Sequence, residues 1–446
     1  PARRTAARRP GARRRQGRVS NDKFMNGSPR EKGIRWKDGI ATMLDQAWLS
    51  FLNLAIAAAF IRLAPKEDYG IYLLLQTPLL LVQGLQNALL LSPLATVLPA
   101  AAEERKPAVR STAIGGQVVF LMIAAALGGV LLAIWLGIER HGLEIWLPAG
   151  FALAIAGASA REGARALHYS AGEALHALRS DLVYGAGLLL ALAALTFGGV
   201  FETRNVLPAI GIAALWPYAL RLLRRPARAN AIAIAIDGAV LAQFWACGRW
   251  ALIGVLVTWI NLNAYTLVVG AMLGLPAVAD INAARLFLMP VALAVTAWSN
   301  LARPRISAWM AQQRHQDIRR FSMQSIFAVL AILAVFAGAV TLAYPLLEPL
   351  LGPGYRGLLP LILMWALFFA FAFPRNILMA TLMTRPEGYR QLQKVSWAAL
   401  GISLGGLWLL TAQGTLWVVA VLILVEFTQL GLIGHLALRW WKGTPQ

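Results

Sequence analysis

Residues 112–138 read TAIGGQVVFLMIAAALGGVLLAIWLGI and contain no charged side chain. An α-helix rises about 1.5 Å per residue, so about 20 apolar residues cross the ~30 Å hydrocarbon core of a bilayer. This stretch is long enough and apolar enough to be a membrane-spanning helix. The whole chain has the same character, because 59% of its residues are hydrophobic and only 14% are charged. Such a composition excludes an ordinary water-soluble domain.

Other stretches of similar length and character bring the number of predicted spans to twelve. In the first half of the chain the others are 40–63, 70–100, 145–160, 182–200 and 206–222. In the second half the spans are 249–273, 281–302, 322–344, 357–374, 395–412 and 415–437. The predicted fold class is an all-α polytopic membrane protein.

The loop charges predict how these spans are oriented. Lys and Arg near the ends of spans are retained on the cytoplasmic side of a membrane. If the amino terminus is cytoplasmic, most of the 41 Lys and Arg residues lie in the tails and loops on that side. The sequence therefore predicts an even number of spans, with both termini in the cytoplasm.

One further apolar segment, AIAIAIDGAVLAQFWAC at 231–247, could be an additional span. It is short, contains Asp237, and would move the arginines of 303–320 to the outer side if it crossed. We therefore predict an interfacial helix that lies on the membrane surface. The predicted organisation is a disordered basic tail at 1–38, an N-terminal lobe at 39–228, an interfacial linker helix at 229–248, a C-terminal lobe at 249–438 and a cytoplasmic tail at 439–446.

Composition also limits the classes of site and partner. The net charge is +21, but it follows the predicted topology and forms no basic stripe with aromatics, so a nucleic-acid partner is not predicted. Cys247 is the only cysteine, which excludes a disulfide within the chain and a cysteine-cluster metal site. The 5 histidines lack metal-ligand spacing, and no metal site is predicted.

Two segments share an order of features that indicates an internal repeat. Residues 60–93 and 270–304 each run from the end of one span, through a short loop with Pro and an acid, into a long span that ends in Pro. Six predicted spans separate them, so the repeat has even parity and is parallel. The sequence thus predicts two six-helix lobes, related by an axis along the membrane normal, with a V-shaped cavity between them.

Several short motifs resemble polysaccharide transporters, the Wzx-like oligosaccharide flippases of the multidrug/oligosaccharidyl-lipid/polysaccharide (MOP) exporter superfamily. They are Asp45-Gln46, LAPKEDYG at 63–70, GLQN at 84–87 and Gly248-Arg249-Trp250. In addition, NAARLFLMP at 282–290, followed by PRIS at 304–307, is similar to the eighth span of the lipid II flippases. The resemblance covers about residues 39–440.

This resemblance implies a transporter, not an enzyme, that works by alternating access in the bacterial inner membrane. Its cargo would be an undecaprenyl-pyrophosphate-linked oligosaccharide for exopolysaccharide, capsule or O-antigen (lipopolysaccharide) export. It would need no cofactor, with a proton or sodium gradient as the candidate energy source. Its partners would be membrane lipids and, in the same pathway, a polysaccharide polymerase and a chain-length regulator.

Charged residues inside spans are the strongest candidates for the transport site, because each costs about 2.5 to 3.5 kcal/mol at a helix centre. Arg285 lies one turn into the eighth predicted span and matches the arginine of the flippase motif, which faces the cavity in that branch. We predict that it contacts the pyrophosphate. The alternatives are an arginine that extends to the membrane surface or one that pairs with Asp280. Arg62, at the end of the first span, is an equal candidate for the cleft and for a surface anchor.

Two carboxylates are candidates for ion coupling or gating. Glu426 lies near the middle of the last span, with Gln429 on the same helical face. It is either a proton or cation site or half of an interhelical hydrogen bond. Asp45, near the inner end of the first span, is either a gating residue or a surface carboxylate favoured by the helix dipole.

Amide side chains within spans are candidates for hydrogen bonds to sugar hydroxyls. The alternative for each is a hydrogen bond between helices. These residues are Gln83, Gln86, Asn87, Asn261, Asn263 and Asn300.

Three other functions remain open at the level of the sequence. A lipid II flippase usually has two more spans and further arginines in its first two spans. A multidrug/cation antiporter of the same fold would need more carboxylates in the first lobe than Asp45. A membrane glycosyltransferase, O-antigen ligase or polymerase would need catalytic residues in large outer loops, whereas the outer loops here are short.

Overall fold

The computed structural model describes residues 36–138, 145–224, 236–383 and 386–441. These ranges are helical throughout apart from short connections, and they contain no β-strand. The α-helices are α1 Trp36–Leu63, α2 Lys66–Gln86, α3 Ser92–Ala100, α4 Lys106–Ile138, α5 Trp146–Ser170, α6 Ala174–Phe197, α7 Thr203–Arg224, α8 Gly238–Leu273, α9 Leu275–Leu286, α10 Met289–Ala311, α11 His315–Leu347, α12 Leu359–Leu382, α13 Pro386–Leu410 and α14 Thr415–Trp441.

Every predicted span lies on one helix or on two that follow directly. A π-helical turn, Asn87–Leu91, joins α2 and α3 into one unbroken span. The eighth predicted span is a pair, because α9 and α10 meet at an angle of 59°. Within the described ranges, 9 helices are long and apolar enough to cross a membrane, or 10 if the bent pair is one span. The chain is a multi-pass membrane protein.

The region of the predicted linker helix has a different structure. Asp237 is the N-cap of α8, and its carboxylate accepts hydrogen bonds from the backbone N–H groups of Ala239 and Val240 at 2.8 and 3.3 Å. The helix then continues without a break to Leu273, so residues 238–248 are its first turns and not a separate helix. Asp237 begins the helix because its side chain satisfies free N–H groups there. Residues 229–235 and the tails 1–35 and 442–446 lie outside the described residues.

The helices form two groups that correspond to the two predicted lobes. In the first group, α1 packs against α6, and α5 packs against α4 and α7. In the second, α12 packs against α11 and α14, and α13 packs against α14 and α8. The two groups meet where α2 and α3 pack against α8 and α9. Membrane helices are apolar on most faces, so close packing and hydrogen bonds between helices, such as that from Gln86 to the carbonyl of Ser159, hold each lobe together.

Glycines allow close contact between backbones where the lobes meet. A Cβ atom on Gly70 of α2 would collide with the backbone carbonyl of Leu275 at the start of α9. A Cβ atom on Gly248 of α8 would lie 2.7 Å from the carbonyl oxygen of Ala88. Small residues at helix interfaces let membrane helices approach closely, so these two positions require glycine.

The lobes are also joined at the end of the bundle where α1 ends and α2 begins, which we call the Lys66 end. Lys66 Nζ lies 2.6 Å from Asp280 Oδ1 of α9 and donates a hydrogen bond of 3.0 Å to the carbonyl of Gly354. We call the opposite end, which carries the first turns of α1, the Asp45 end. There α1 packs against α6, and α10 packs against α11 and α12, but α1 and α10 share no extensive contact among the described residues.

Candidate functional site

A cavity of about 610 Å³ lies inside the C-terminal lobe, between α8, α9, α12, α13 and α14. Tyr265, Trp365 and Phe368 form its aromatic wall. We call it the C-lobe cavity. Its polar lining comprises Thr258, Asn261, Arg285, Arg375, Asn376, Gln393, Ser396, Glu426 and Gln429. A concave apolar site with a few convergent polar groups is the usual form of a small-molecule binding site.

Arg285 faces this cavity as a cation without a carboxylate partner among the described residues. Its guanidinium lies over the Trp365 ring at 5.4 Å, and its Nε is buried without a hydrogen-bond acceptor. The Trp365 indole donates a hydrogen bond of 2.8 Å to the carbonyl of Ile281, one turn earlier on α9, which fixes the ring under the guanidinium. Asp280, the alternative partner considered from the sequence, pairs with Lys66 instead. Such an arginine is suited to an anionic group.

Glu426 has a partner that the sequence did not indicate. Arg375 Nε lies 2.5 Å from Glu426 Oε2, and its Nη2 lies 3.2 Å from Oε1, so the pair makes two contacts between α12 and α14. We predicted that the tenth span ends at 374 and that Arg375 lies in a loop, but α12 continues to Leu382. The signal that could have shown this is the apolar run NILMATLM that follows Arg375.

The predicted amide ligands divide into several groups. Gln86 is fully buried and donates to the carbonyl of Ser159 at 2.7 Å, so it forms a hydrogen bond between helices. Asn263 donates to the carbonyl of Trp259 on its own helix and does not line the C-lobe cavity. Asn261 does line it, and its buried Oδ1 has no hydrogen-bond donor. The side chain of Asn300 lies outside the described residues.

Two predicted residues lie away from this cavity. Arg62 is exposed in the last turn of α1, at the Lys66 end. Asn87 is exposed at the start of the π-helical turn and lines a separate cavity of about 500 Å³ in the N-terminal lobe. Arg165 and Tyr169 line the same cavity. The structure therefore does not bring Arg62 or Asn87 together with Arg285.

Asp45 is fully buried in an ionic cluster that joins α1, α5 and α6. Arg165 Nη2 lies 2.7 Å from Asp45 Oδ2, and the Tyr169 hydroxyl donates to the same oxygen at 2.6 Å. Arg165 Nε lies 2.8 Å from Asp181 Oδ2, so one guanidinium bridges two buried aspartates. Asp45 is therefore not a surface carboxylate.

Arg161 and Glu162 complete this cluster. Arg161 lies 3.0 Å from Glu162 and 3.9 Å from Asp181, and Glu162 lies 2.9 Å from Arg165. The span predicted at 145–160 ends before these residues, and that boundary is wrong because α5 continues through them to Ser170. Pairing between opposite charges allows the helix to continue through charged residues, each of which would be costly in a membrane without a partner.

The cluster carries an excess of negative charge. Its three carboxylates, Asp45, Glu162 and Asp181, face two guanidinium groups, those of Arg161 and Arg165. Asp45 Oδ1 and Asp181 Oδ1 are buried without a hydrogen-bond donor. A buried charge is costly unless it is compensated, so this cluster is suited to one added proton.

Comparisons of sequence and structure with known proteins gave different results. No protein-family model and no curated protein matches the sequence. The structure is similar to an inward-facing multidrug-resistance MATE family transporter of the MOP superfamily, with a TM-score of 0.66 and 13% identity over 91% of this chain and 100% of that chain. It is also similar to the lipid II flippase MurJ in an inward closed conformation, with a TM-score of 0.64 and 13% identity over 91% of this chain and 88% of that one.

A third solved structure has the same arrangement of helices. It is a MOP superfamily transporter from Pyrococcus furiosus, for which a reversed polarity of the binding pocket is described. The TM-score is 0.57, with 13% identity over 91% of this chain and 94% of that chain. A structural similarity at such low sequence identity shows the fold and leaves the cargo open. The chain has the fold shared by MOP superfamily transporters and the lipid II flippase MurJ.

Proposed function

We propose that the chain is a flippase that moves undecaprenyl-pyrophosphate-linked oligosaccharide units across the bacterial inner membrane by alternating access. The observation that carries this proposal is Arg285, which faces the C-lobe cavity with its charge uncompensated by any described carboxylate. A pyrophosphate provides the anion that such a guanidinium binds. The amides and aromatic rings of the same cavity are suited to sugar hydroxyls and sugar faces.

The contacts between the lobes support entry of a lipid-linked cargo from one side. The lobes are tied together at the Lys66 end, while α1 and α10 share no extensive contact among the described residues at the Asp45 end. A polar headgroup could enter between these two helices while its lipid tail remains in the bilayer. The tail needs no polar path, because hydrocarbon is its preferred solvent.

The distribution of Lys and Arg favours a cytoplasmic location for the Asp45 end. By the predicted topology, most of the 41 Lys and Arg residues lie on that side, in tails, connections or the adjoining ends of helices, and such residues are retained in the cytoplasm. In this orientation both termini are cytoplasmic, and the Lys66–Asp280 pair closes the outer end. An entrance between α1 and α10 would then face the cytoplasm, as a flippase needs when it receives cargo made inside the cell.

Two buried charged groups are candidates for coupling to a proton or sodium gradient. The cluster around Asp45 and Asp181 has one excess negative charge, and Glu426 lies at the wall of the C-lobe cavity. A polysaccharide polymerase and a chain-length regulator would use the exported units on the outer face. The transport step itself needs no covalent chemistry from this chain.

A lipid II flippase is the second candidate, favoured by the structural likeness to MurJ. Its cargo would present the same pyrophosphate to Arg285, so the two functions differ in the sugar and not in the anion.

A multidrug/cation antiporter is disfavoured because the charged residues that line the C-lobe cavity are Arg285, Arg375 and Glu426, which leave a net positive charge. An enzyme is disfavoured because the structural neighbours named above are transporters or flippases.

A deletion strain tests the proposal through the lipid-linked units it accumulates. Mass spectrometry identifies the units, and protection from an added glycosidase in spheroplasts assigns their side of the membrane. We expect oligosaccharide units trapped on the inner face. Trapped lipid II would favour the second candidate, units on the outer face would indicate a polymerase or ligase, and no accumulation would contradict a flippase.

A further inference from the structure

A separate apolar groove of about 340 Å³ lies between α10 and α11. Val291, Val295 and Trp298 line it from α10, and Phe321 and Ile332 line it from α11. None of these residues lines the C-lobe cavity. We call this feature the α10–α11 groove.

Two of the three polar side chains in the groove bond to the protein and not to the open space. Trp298 Nε1 donates to Ser325 Oγ at 3.0 Å, and that hydroxyl donates to the carbonyl of Phe321 at 2.8 Å. The third, Gln324, is exposed. The other walls are hydrocarbon, so the groove is suited to an apolar chain.

An arginine lies at one end of this groove. The Phe321 ring stacks on the Trp298 ring at 5.9 Å, and the Arg305 guanidinium lies over Phe321 at 5.4 Å and over Trp309 at 4.6 Å. Arg314 also lies over Trp309, but it pairs with Asp317 at 2.7 Å. Arg305 is exposed, and no carboxylate among the described residues lies within 4.0 Å of its nitrogens. Its charge is available to an anion next to the groove.

The length of the groove matches one leaflet of a bilayer. Phe321 and Ile332 lie on the same helix, and the rise between them is about 16 Å at the usual helical spacing. The hydrocarbon core of a bilayer is ~30 Å thick, so this distance is about half of it. Arg305 lies near the junction of α10 and α11, at the Asp45 end, where the headgroups of that leaflet would lie.

We propose that the α10–α11 groove binds one acyl chain of an anionic phospholipid, with the lipid phosphate against Arg305. The apolar walls contact the chain, and the guanidinium contacts the phosphate as a charge-assisted hydrogen-bond donor. A polyprenyl chain is longer than one leaflet, so a phospholipid fits the length of the groove better. The proposal does not depend on the identity of the transported cargo.

Native mass spectrometry of the purified protein, titrated with phosphatidylglycerol or phosphatidylcholine, tests this site. We expect the wild type to bind phosphatidylglycerol more tightly. Arg305→Gln should weaken phosphatidylglycerol binding about fivefold, the effect of removing one cation near an anionic lipid. Arg305→Lys should keep the preference, because it keeps the charge. Ala328→Phe, which fills the groove from α11, should weaken the binding of both lipids.

Two control variants separate this site from general effects on folding and surface charge. Arg179→Gln removes another exposed arginine at the Asp45 end, and Ala126→Phe adds the same ring to an exposed position of α4. Both should bind phosphatidylglycerol like the wild type. Equal binding of the two lipids by the wild type, or unchanged binding by Arg305→Gln, would overturn the proposal. Displacement of phosphatidylglycerol by a lower concentration of undecaprenyl phosphate would instead identify the groove as a site for the cargo tail.

Discussion

Arg375 and Glu426 form a two-point ion pair at the wall of the C-lobe cavity, with 2.5 Å between Nε and Oε2 and 3.2 Å between Nη2 and Oε1. The pair neutralises two of the three charged residues that line the cavity, and the third is Arg285. The local charge available to a cargo is therefore that of Arg285. The two arginines therefore have different functions, since Arg375 supports the cavity wall and Arg285 is available to bind an anion.

Replacing Arg285 by Ala should reduce export at least tenfold at a normal protein level. A hydrogen bond to a charged group is worth about 1.5 to 3 kcal/mol, and 1.4 kcal/mol corresponds to a factor of ten in binding. Arg285→Lys should retain part of the activity, because it keeps the charge but loses the planar fork of donors. Export of labelled polysaccharide, normalised to the amount of protein in the membrane, measures both effects.

The matched control for Arg285 is Arg356→Ala. Arg356 is an exposed arginine that does not line the C-lobe cavity. It should export like the wild type. Normal export by Arg285→Ala would remove the claim that this residue binds the pyrophosphate.

Breaking the Arg375–Glu426 pair should destabilise the protein more than removing both partners. Glu426→Leu leaves a buried guanidinium without its counter-ion, and breaking such a pair costs about 3 kcal/mol. The double variant Arg375→Met with Glu426→Leu removes both charges and should recover most of the lost stability. Thermal unfolding in detergent, arranged as a double-mutant cycle, measures the coupling. Additive effects of the two substitutions would contradict the ion pair.

Glu426 also has a testable role in coupling. If its carboxylate binds the coupling proton, Glu426→Gln should give transport that no longer responds to a pH gradient. Transport by the wild type and by this variant, measured with and without a gradient, separates coupling from stability. A variant that still responds to the gradient would assign coupling to another group, such as the cluster around Asp45 and Asp181.

The Lys66–Asp280 pair should hold the Lys66 end closed. The reporter is a cysteine at the buried position of Tyr355, in a Cys247→Ser background. Lys66→Met removes the contact of 2.6 Å and should increase the labelling of this cysteine by a membrane-impermeant maleimide. The charge-swapped double variant, Lys66→Asp with Asp280→Lys, should keep the cysteine protected from labelling. Lys106→Met, which breaks a pair at the Asp45 end, serves as the control. Equal labelling of all variants would show that the pair does not close this end.

Gly70 should tolerate no side chain where the lobes meet. Gly70→Ala places a Cβ against the Leu275 carbonyl, so the backbones of α2 and α9 must move apart. A lower melting temperature and loss of transport are expected. Gly187→Ala is the matched control, because a Cβ there meets nothing within 4 Å, and alanine favours a helix over glycine by about 1 kcal/mol. The same loss in both variants would point to a general intolerance of substitution.

The sequence predicted the helices well where apolar runs are unbroken, as in residues 112–138. It was wrong at the ends of α5 and α12, because the predicted spans stop before Arg161, Arg165 and Arg375, whereas the helices continue through these arginines. Arg165 and Arg375 lie within helices because carboxylates from other helices compensate their charge. Those carboxylates are 120 and 51 residues away in the chain, and spacing in sequence carries no signal of such contacts.

The sequence predicted the candidate site only at Arg285, where a single residue combines a family motif with a charge inside a span. Arg285 was identified from its place in a short motif and inside a span, and it lines a cavity. The structure adds Arg375 to the cavity wall, and of the two predicted asparagines of α8, Asn261 lines the cavity and Asn263 does not. Those two asparagines are two positions apart on one helix, so they face different directions, and only packing decides which of them faces inward.

Flipping by the purified protein in liposomes tests the central claim most directly. Undecaprenyl-pyrophosphate-linked oligosaccharide is incorporated with the protein, and the fraction accessible to an external glycosidase is followed over time. The account predicts that the wild type makes the protected inner-leaflet fraction accessible, while Arg285→Ala does so at least tenfold more slowly. An equal rate in liposomes with wild-type protein and in liposomes without protein would contradict the account.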